Sequence, residues 1–255
     1  MRYLFIIAFI ALSAAGSISA ASLAQVRFLG FSPGGDYAAF GQYWIEDGSG
    51  FPGAEIRVMS VTEGEPAEVF QVIWTEEMIY GEDGRVELDD GGNPAWTTVL
   101  DQACPCLDSL GITGEHMGRH CLCHLLTDRG TDPYRASFVT WMGSPIYMGP
   151  EYSMNLLLHP PALENPPEWL TMFDKPVLLE LVIEDPEGFM VMHHRDADSA
   201  QDYEYVSDYR IRDVFVFADS MTAVILNTTG PGFEGPDGMF RMVTGVLDID
   251  PGLGY

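Results

Sequence analysis

The four cysteines of this 255-residue chain all lie in one short segment, together with three of its six histidines. They form two C-x-C pairs, and the residues concerned are Cys104, Cys106, Cys121 and Cys123, with His116, His120 and His124. Thiolates and imidazoles bind zinc or copper, whereas two thiols that meet outside the cytoplasm form a disulfide. The even number of cysteines and an export-type leader favour disulfides, and a metal site and free thiols are the alternatives.

The spacing of the pairs limits both chemistries. On a regular strand Cys121 and Cys123 point to the same face, about 6.6 Å apart along the chain. On a regular helix Cys104 and Cys106 diverge by roughly 200°, and they face a common partner only if Pro105 ends the helix. A zinc site needs its sulfur ligands to converge at about 2.3 Å from the ion. Taken alone, the three histidines are typical of surface positions.

Two related glycine-rich stretches are the other candidate site. GSGFPGAE covers residues 48–55 and GPGFEGPDG covers residues 230–238. Glycine and proline allow backbone shapes that other residues resist, and loops longer than a tight hairpin turn are frequent binding elements. The candidate binding residues are Asp47, Gly50, Phe51, Gly232, Phe233, Glu234 and Asp237. The alternative is a pair of self-packed connections without a ligand.

These loops belong to two similar units, one near each end of the chain. Residues 26–61 and residues 214–246 both follow the order strand, turn, strand, glycine-rich loop, strand. The phrase FSPGGDYAAF, residues 31–40, also resembles the Phe-Ser-Pro-Asp-Gly repeat of WD40-like β-propeller blades. That resemblance implies a blade-type unit at each end of the chain.

One helix stands out between the two units. Asn93 is a suitable N-cap, Pro94 a favoured first helical residue, and apolar residues recur at helical spacing until Gly111. The polar region from His193 to Asp208 is expected to be a loop. We therefore predict a mainly β fold with one amphipathic helix, its antiparallel sheets built from repeated hairpin units in a propeller-like or sandwich arrangement.

The N-terminus has the order of a secretory signal peptide. Arg2 precedes an apolar run, small residues follow, and cleavage fits after Ala20, Ala21 or Ala24, of which we favour Ala24. A retained membrane anchor is the alternative, but the apolar run is shorter than the roughly 20 residues that a spanning helix needs. We expect residues 1–24 to be a signal peptide and residues 25–255 a single β-rich secreted domain with no stable membrane span.

The formal net charge is −26, with one lysine in the chain. So acidic a surface repels nucleic acid and anionic lipid, which excludes those partners. It suits solubility outside the cytoplasm, and a preference for cationic partners or Ca²⁺ is the alternative.

Several short motifs resemble a family of uncharacterised bacterial proteins described as predicted secreted proteins, a domain of unknown function. They are FLGFSP at 28–33, DGSGF at 47–51, LGI at 110–112, HRD at 194–196, YRI at 209–211 and GFEGPD at 232–237. The two C-x-C pairs are not part of the family's pattern. The resemblance implies secretion and no catalytic residues.

Together these observations predict an exported protein, periplasmic or secreted, that acts as a non-enzymatic binding or structural protein through its glycine-rich loops. Its partner is an unknown protein or small molecule, and no cofactor is required by the sequence. The alternatives are an envelope metal-binding protein that uses the Cys/His cluster and a carboxylate-dependent hydrolase. The sequence contains no nucleophile elbow, H-E-x-x-H motif or phosphate-binding loop.

Overall fold

The computed structural model describes residues 22–80, 93–125, 128, 130–140, 142–144, 147–161, 175–196, 206–232 and 236–248. Residues 1–21 of the predicted signal peptide (residues 1–24) and the candidate loop residues Phe233 and Glu234 lie outside the described residues.

The N-terminal sheet is an antiparallel meander with the strand order β1-β2-β3-β4. Its strands are β1 (Gln25–Phe31), β2 (Tyr37–Ile45), β3 (Pro52–Ser60) and β4 (Pro66–Ile73). The short helix α1 (Glu76–Tyr80) follows β4, and the longer helix α2 (Pro94–Leu110) packs on this sheet.

The C-terminal sheet contains the second hairpin unit and has the order β14-β13-β12-β5. Its strands are β5 (Arg119–Cys123), β12 (Asp208–Phe217), β13 (Met221–Pro231) and β14 (Pro236–Val246). Strand β5 therefore lies at an edge, paired with β12 and separated from it by about 85 residues of chain.

A third sheet lies between these units in the sequence and has the order β11-β10-β9-β6. Its strands are β6 (Arg135–Val139), β9 (Glu151–His159), β10 (Leu178–Glu184) and β11 (Met190–Arg195). A small hairpin of β7 (Met142–Ser144) and β8 (Tyr147–Met148) connects β6 to β9.

The C-terminal sheet is the central layer of the fold, because both of its faces are buried. Val214 and Val224 pack with the third sheet, whereas the neighbouring residues Phe215 and Ala223 pack with the N-terminal sheet. Successive side chains of a strand point to opposite faces. A strand buried on both sides must therefore be apolar throughout, which explains the runs VFVF at 214–217 and AVIL at 223–226.

Helix α2 covers the outer face of the N-terminal sheet and completes a stack of layers. Asn93 caps it by accepting hydrogen bonds from the backbone N–H groups of Ala95 and Trp96. Gly111 ends it at φ 69°, a left-handed conformation that glycine adopts without strain. Among the described residues, neither helix combines the length and apolar character needed to cross a membrane.

The predicted fold class is confirmed: the protein is mainly β, with antiparallel four-stranded sheets in a sandwich-like stack. The WD40-like blade repeat is not confirmed, and the described sheets do not close into a barrel. A second helix, α1, adds to the one that was predicted. The loop predicted from His193 is wrong at its start, since β11 continues through Arg195.

Candidate metal centre

Two β-bulges position the side chains of the candidate centre. In the pairing of β5 with β12, Leu122 lies opposite Val214 and His120 opposite Phe215, so Cys121 is an extra residue. A regular strand would direct His120 and Cys123 to opposite faces, because they are three residues apart. The bulge at Cys121 reverses that alternation and brings both side chains to the same face.

The second bulge is on β12. Its pairing with β13 passes from Ile211 directly to Asp213, which leaves Arg212 as the extra residue. Tyr209 and Ile211 before the bulge and Val214 after it all face the core shared with the third sheet. Asp213 turns away from that core and lies opposite Cys123 on β5.

The result is a cluster of one imidazole, one thiol and one carboxylate. Donor atoms of His120, Cys123 and Asp213 all lie within 4.8 Å of one another. The His120 Nε2 is 2.8 Å from the Asp213 Oδ1. Nitrogen, sulfur and oxygen donors of these three types are the protein ligands of Zn²⁺.

Neighbouring side chains fix the orientation of the cluster. The His120 ring stacks on Phe215, with centroids 4.4 Å apart and an angle of 10° between the planes. Arg212 donates from Nη1 to the Asp213 Oδ2 at 2.9 Å, and its guanidinium lies 4.9 Å from the centre of the Phe240 ring. Asp213 is buried, its side chain 7% exposed, whereas His120 is 45% exposed.

The electrostatics of Cys123 follow from its neighbours. Its pKa is raised above the ordinary value of a thiol, first by burial and then by the charge and hydrogen bonding of Asp213, while Arg212 acts in the opposite direction. A negative thiolate beside a negative carboxylate is unfavourable unless a cation compensates both charges.

The expectation of disulfides is not supported. All four cysteines lie in the described part of the chain, and all are free thiols. Helix α2 continues through Pro105, so Cys104 and Cys106 diverge as on a regular helix. Cys106 packs in the core between α2 and the N-terminal sheet, whereas Cys121 packs in the core of the third sheet.

Two of the three candidate histidines stay outside the cluster. The His116 ring packs edge-on against Phe217, with centroids 5.7 Å apart. His124 donates its backbone N–H to the carbonyl of Arg212 at 2.7 Å and lines a separate cavity of about 250 Å³ together with Asn227. Within the described residues its Nδ1 atom is buried and has no hydrogen-bond partner.

Ser22, which lies just before β1, contacts both glycine-rich stretches. Ser22 donates its backbone N–H to the Asp237 Oδ1 at 2.7 Å, and its Oγ accepts from the backbone N–H of Asp47 at 2.7 Å. Phe51 is half-buried, and Gly50 is exposed at φ 71°. Gly232 follows directly after β13. Much of each predicted loop is strand, since β3 begins at Pro52 and Asp237 lies in β14 opposite Gly230. Ser22 therefore connects Asp47 at the first stretch to Asp237 at the start of β14.

Asp213 is the site residue that the sequence interpretation missed. It lies in the segment IRDVFVF, where an acidic side chain interrupts a strongly apolar strand. A carboxylate in such a strand is buried, and a buried carboxylate needs a partner. That signal predicts that Asp213 has a partner. It does not predict which residue the partner is, because that depends on both bulges.

The comparison with protein families gives one match. The family described as predicted secreted protein (DUF2259) matches residues 39–245, which include β5, β12 and both glycine-rich stretches of the sequence. No curated protein and no solved structure matches the chain significantly.

Proposed function

The chain belongs to the DUF2259 family of predicted secreted proteins, and we propose that this exported protein binds a transition-metal ion through His120, Cys123 and Asp213. Zn²⁺ fits these donors best, since it accepts imidazole nitrogen, thiolate sulfur and carboxylate oxygen. The proposal retains the metal alternative of the sequence analysis and replaces its broad Cys/His cluster with three defined ligands.

The observation that carries the proposal is the convergence of three different donors from two strands. The three donor atoms lie within 4.8 Å of one another, which a small movement of side chains reduces to the separations found around a bound ion. The convergence depends on two bulges, and bulges commonly re-aim side chains next to functional sites.

The exposure of the ligands supports binding and exchange of the ion. Asp213 is buried and fixed by Arg212, whereas His120 and Cys123 are exposed at an edge strand. Three protein ligands leave one position of a tetrahedral zinc ion open to water or another ligand. An accessible ion with an open position suits capture or transfer better than a purely structural role.

A metal-free explanation exists for part of the geometry. A hydrogen bond between His120 and Asp213 on its own accounts for their contact of 2.8 Å and requires nothing of Cys123. The two explanations differ in whether the thiol takes part. The test therefore has to show whether the Cys123 sulfur binds the metal ion.

We would purify the protein without chelators, load it with Co²⁺ in place of Zn²⁺, and record the sulfur-to-cobalt charge-transfer absorption. The expected result is about one ion per chain and a charge-transfer band, since a single thiolate ligand is present. Cys123→Ser should abolish the band. The matched control is Cys104→Ser, which removes another exposed thiol and should leave the band intact.

Retention of the band in Cys123→Ser, or its absence from the wild-type protein, would overturn the proposal. His120→Ala should weaken binding by more than the about 10–100-fold typical of groups that only support a ligand, because His120 is a direct ligand. Circular dichroism on each variant separates loss of binding from loss of fold.

A second candidate function is partner binding by the glycine-rich loops, and the contacts of Ser22 with Asp47 and Asp237 favour it. These contacts bring parts of the two glycine-rich stretches, from opposite ends of the chain, close to the acidic groups Glu46, Asp47 and Asp237. A partner with a cationic surface suits that charge.

Crosslinking in the native envelope tests this second candidate. Phe51→Ala and Phe233→Ala should each lose a crosslinked partner that the wild-type protein retains. Phe189→Ala is the matched control, because Phe189 is 70% exposed and lies outside both loops. Unchanged crosslinks in both loop variants would remove the loops as the binding surface.

A further inference from the structure

The structure assigns a defined role to Ser22, and we propose that signal peptidase cleaves between Ala21 and Ser22, so that the new α-ammonium of Ser22 pairs with Asp237. In this step water hydrolyses the Ala21–Ser22 peptide bond, which leaves a carboxylate on Ala21 and an ammonium on Ser22. The inference goes beyond metal binding and does not depend on it.

Ser22 is integrated into the folded domain. It is 4% exposed, although it lies near the start of the described chain. Its N–H donates to the Asp237 Oδ1 at 2.7 Å, its Oγ accepts from the Asp47 N–H at 2.7 Å, and its carbonyl accepts from the Gly238 N–H at 2.8 Å. Each polar group of the residue therefore has a partner.

The following residues continue this attachment. Ala24 donates its N–H to the carbonyl of Gly238 at 2.8 Å, and Leu23 forms a parallel bridge with Gly238. Cleavage after Ala24 would remove all of these contacts. It would leave the N–H groups of Asp47 and Gly238 without the partners that the folded chain gives them, and unpaired backbone donors are costly.

The local sequence permits cleavage just before Ser22. Signal peptidase prefers small residues one and three positions before the cut. A cut after Ala21 has Ala21 and Ser19 at these positions, whereas a cut after Ala20 has the β-branched Ile18 at the third. Of the cuts that keep Ser22 in the domain, the one after Ala21 fits both the enzyme and the hydrogen bonds.

The charges around Ser22 suit an ammonium better than an amide. The pKa of Asp237 is raised by burial and by the negative charges of Asp47 and Glu46, against the hydrogen bonds from Ser22. The Asp237 carboxylate, with those of Asp47 and Glu46 close to it, thus lies at a position where the uncut chain has only a neutral N–H. A positive N-terminus there adds a charge on the donor to a hydrogen bond whose acceptor is already ionised, so that the contact becomes an ion pair as well.

N-terminal sequencing and intact mass of the protein exported by its native host test the cleavage site. The expected mature chain begins with Ser22. A chain that begins with Gln25 would overturn the proposal, as would one that keeps Ala21.

A second experiment tests the role of the charge on the mature protein. Selective acetylation of the α-amine at mildly acidic to neutral pH should lower the urea midpoint of unfolding, because it removes the charge and keeps one N–H. The same acetylation should have little effect in Asp237→Asn, which lacks the carboxylate. The control Asp219→Asn changes an exposed turn residue and should respond like the wild type. An equal effect of acetylation in wild type and Asp237→Asn would overturn the pairing.

Discussion

His120 and Asp213 are 93 residues apart in the sequence, yet the His120 Nε2 lies 2.8 Å from the Asp213 Oδ1. Their contact joins the edge strand β5 to β12 through side chains as well as through the backbone. Since Asp213 is buried and His120 is exposed, the pair connects the interior of the central layer to the surface.

The first prediction concerns Asp213 in the metal-free protein. Asp213→Asn should lower the free energy of unfolding by about 1–3 kcal/mol, because an amide is a weaker partner for His120 and Arg212 than a carboxylate. Urea denaturation measures the change. Asp219→Asn, at an exposed turn position, should be close to neutral. A loss no larger than that of the control would mean that the pair contributes nothing to stability.

The second prediction concerns acid stability and Asp196. Burial acts to raise the pKa of Asp196, but hydrogen bonds from His194 and Arg241 and the positive charge of Arg241 outweigh burial and hold the pKa well below its ordinary value. The carboxylate therefore contributes stability that is fully present above its unfolded pKa of about 4 and is lost as the pH falls through the folded pKa.

Asp196→Asn should accordingly destabilise the protein at neutral pH by about 1–3 kcal/mol, since charge-assisted hydrogen bonds are lost. The difference from the wild type should shrink steadily below about pH 4. Urea midpoints across the acid range measure it, with the exposed Glu63→Gln as the control. A difference that stays constant down to strong acid would contradict the assignment.

The third prediction tests the packing of α2 on the N-terminal sheet. A methyl group on Gly41 would lie 2.5 Å from the Trp96 Cζ3, well inside van der Waals contact. Gly41→Ala should cost about 1–3 kcal/mol, because the indole or the helix has to move. Gly130→Ala places its methyl in open space and should be nearly neutral. Thermal unfolding of both variants makes the comparison.

The fourth prediction concerns the thiols. In denaturant without reductant, all four cysteines should react with a thiol reagent. In the native protein Cys104 and Cys123 are both exposed, but Cys104 should react first, because burial and Asp213 raise the pKa of Cys123. Cys121 should react last, because burial shields it and raises its pKa. Cys104→Ser should remove the fast phase. Fewer than four reactive thiols in the denatured protein would restore the disulfide interpretation.

Local signals explain which parts of the fold the sequence predicts well. Asn93, Pro94 and Gly111 specify the ends of α2, because capping depends on residues within one turn of the helix. The two hairpin units are also local, since their turns and apolar runs are contiguous. The sequence therefore predicts the elements and the fold class.

The candidate site depends on signals that are not local. The bulges at Cys121 and Arg212 arise from pairing with distant strands, and a period-two pattern cannot reveal them. Regular alternation of side chains along a strand places Cys121 and Cys123 on the same face. In the structure it is His120 that lies beside Cys123, and Asp213 completes the cluster. The expectation of disulfides failed for a related reason, since the two C-x-C pairs lie in elements that pack in different cores.

The position of the C-terminal sheet has a consequence for how the chain acquires its structure during export. Strand β5 pairs only with β12 among the described strands, and Ser22 contacts Asp237 across 215 residues of sequence. A chain that emerges from a translocation channel N-terminus first exposes β1 to β11 before β12 to β14 have emerged. These last three strands belong to the central sheet, which lies between the N-terminal sheet and the third sheet and covers both. Such long-range pairing slows folding, so the protein should stay open to proteases until its last strands have crossed. A truncation that ends before Asp208 should therefore be degraded rapidly in a pulse-chase experiment, whereas the full chain should become resistant soon after its export is complete.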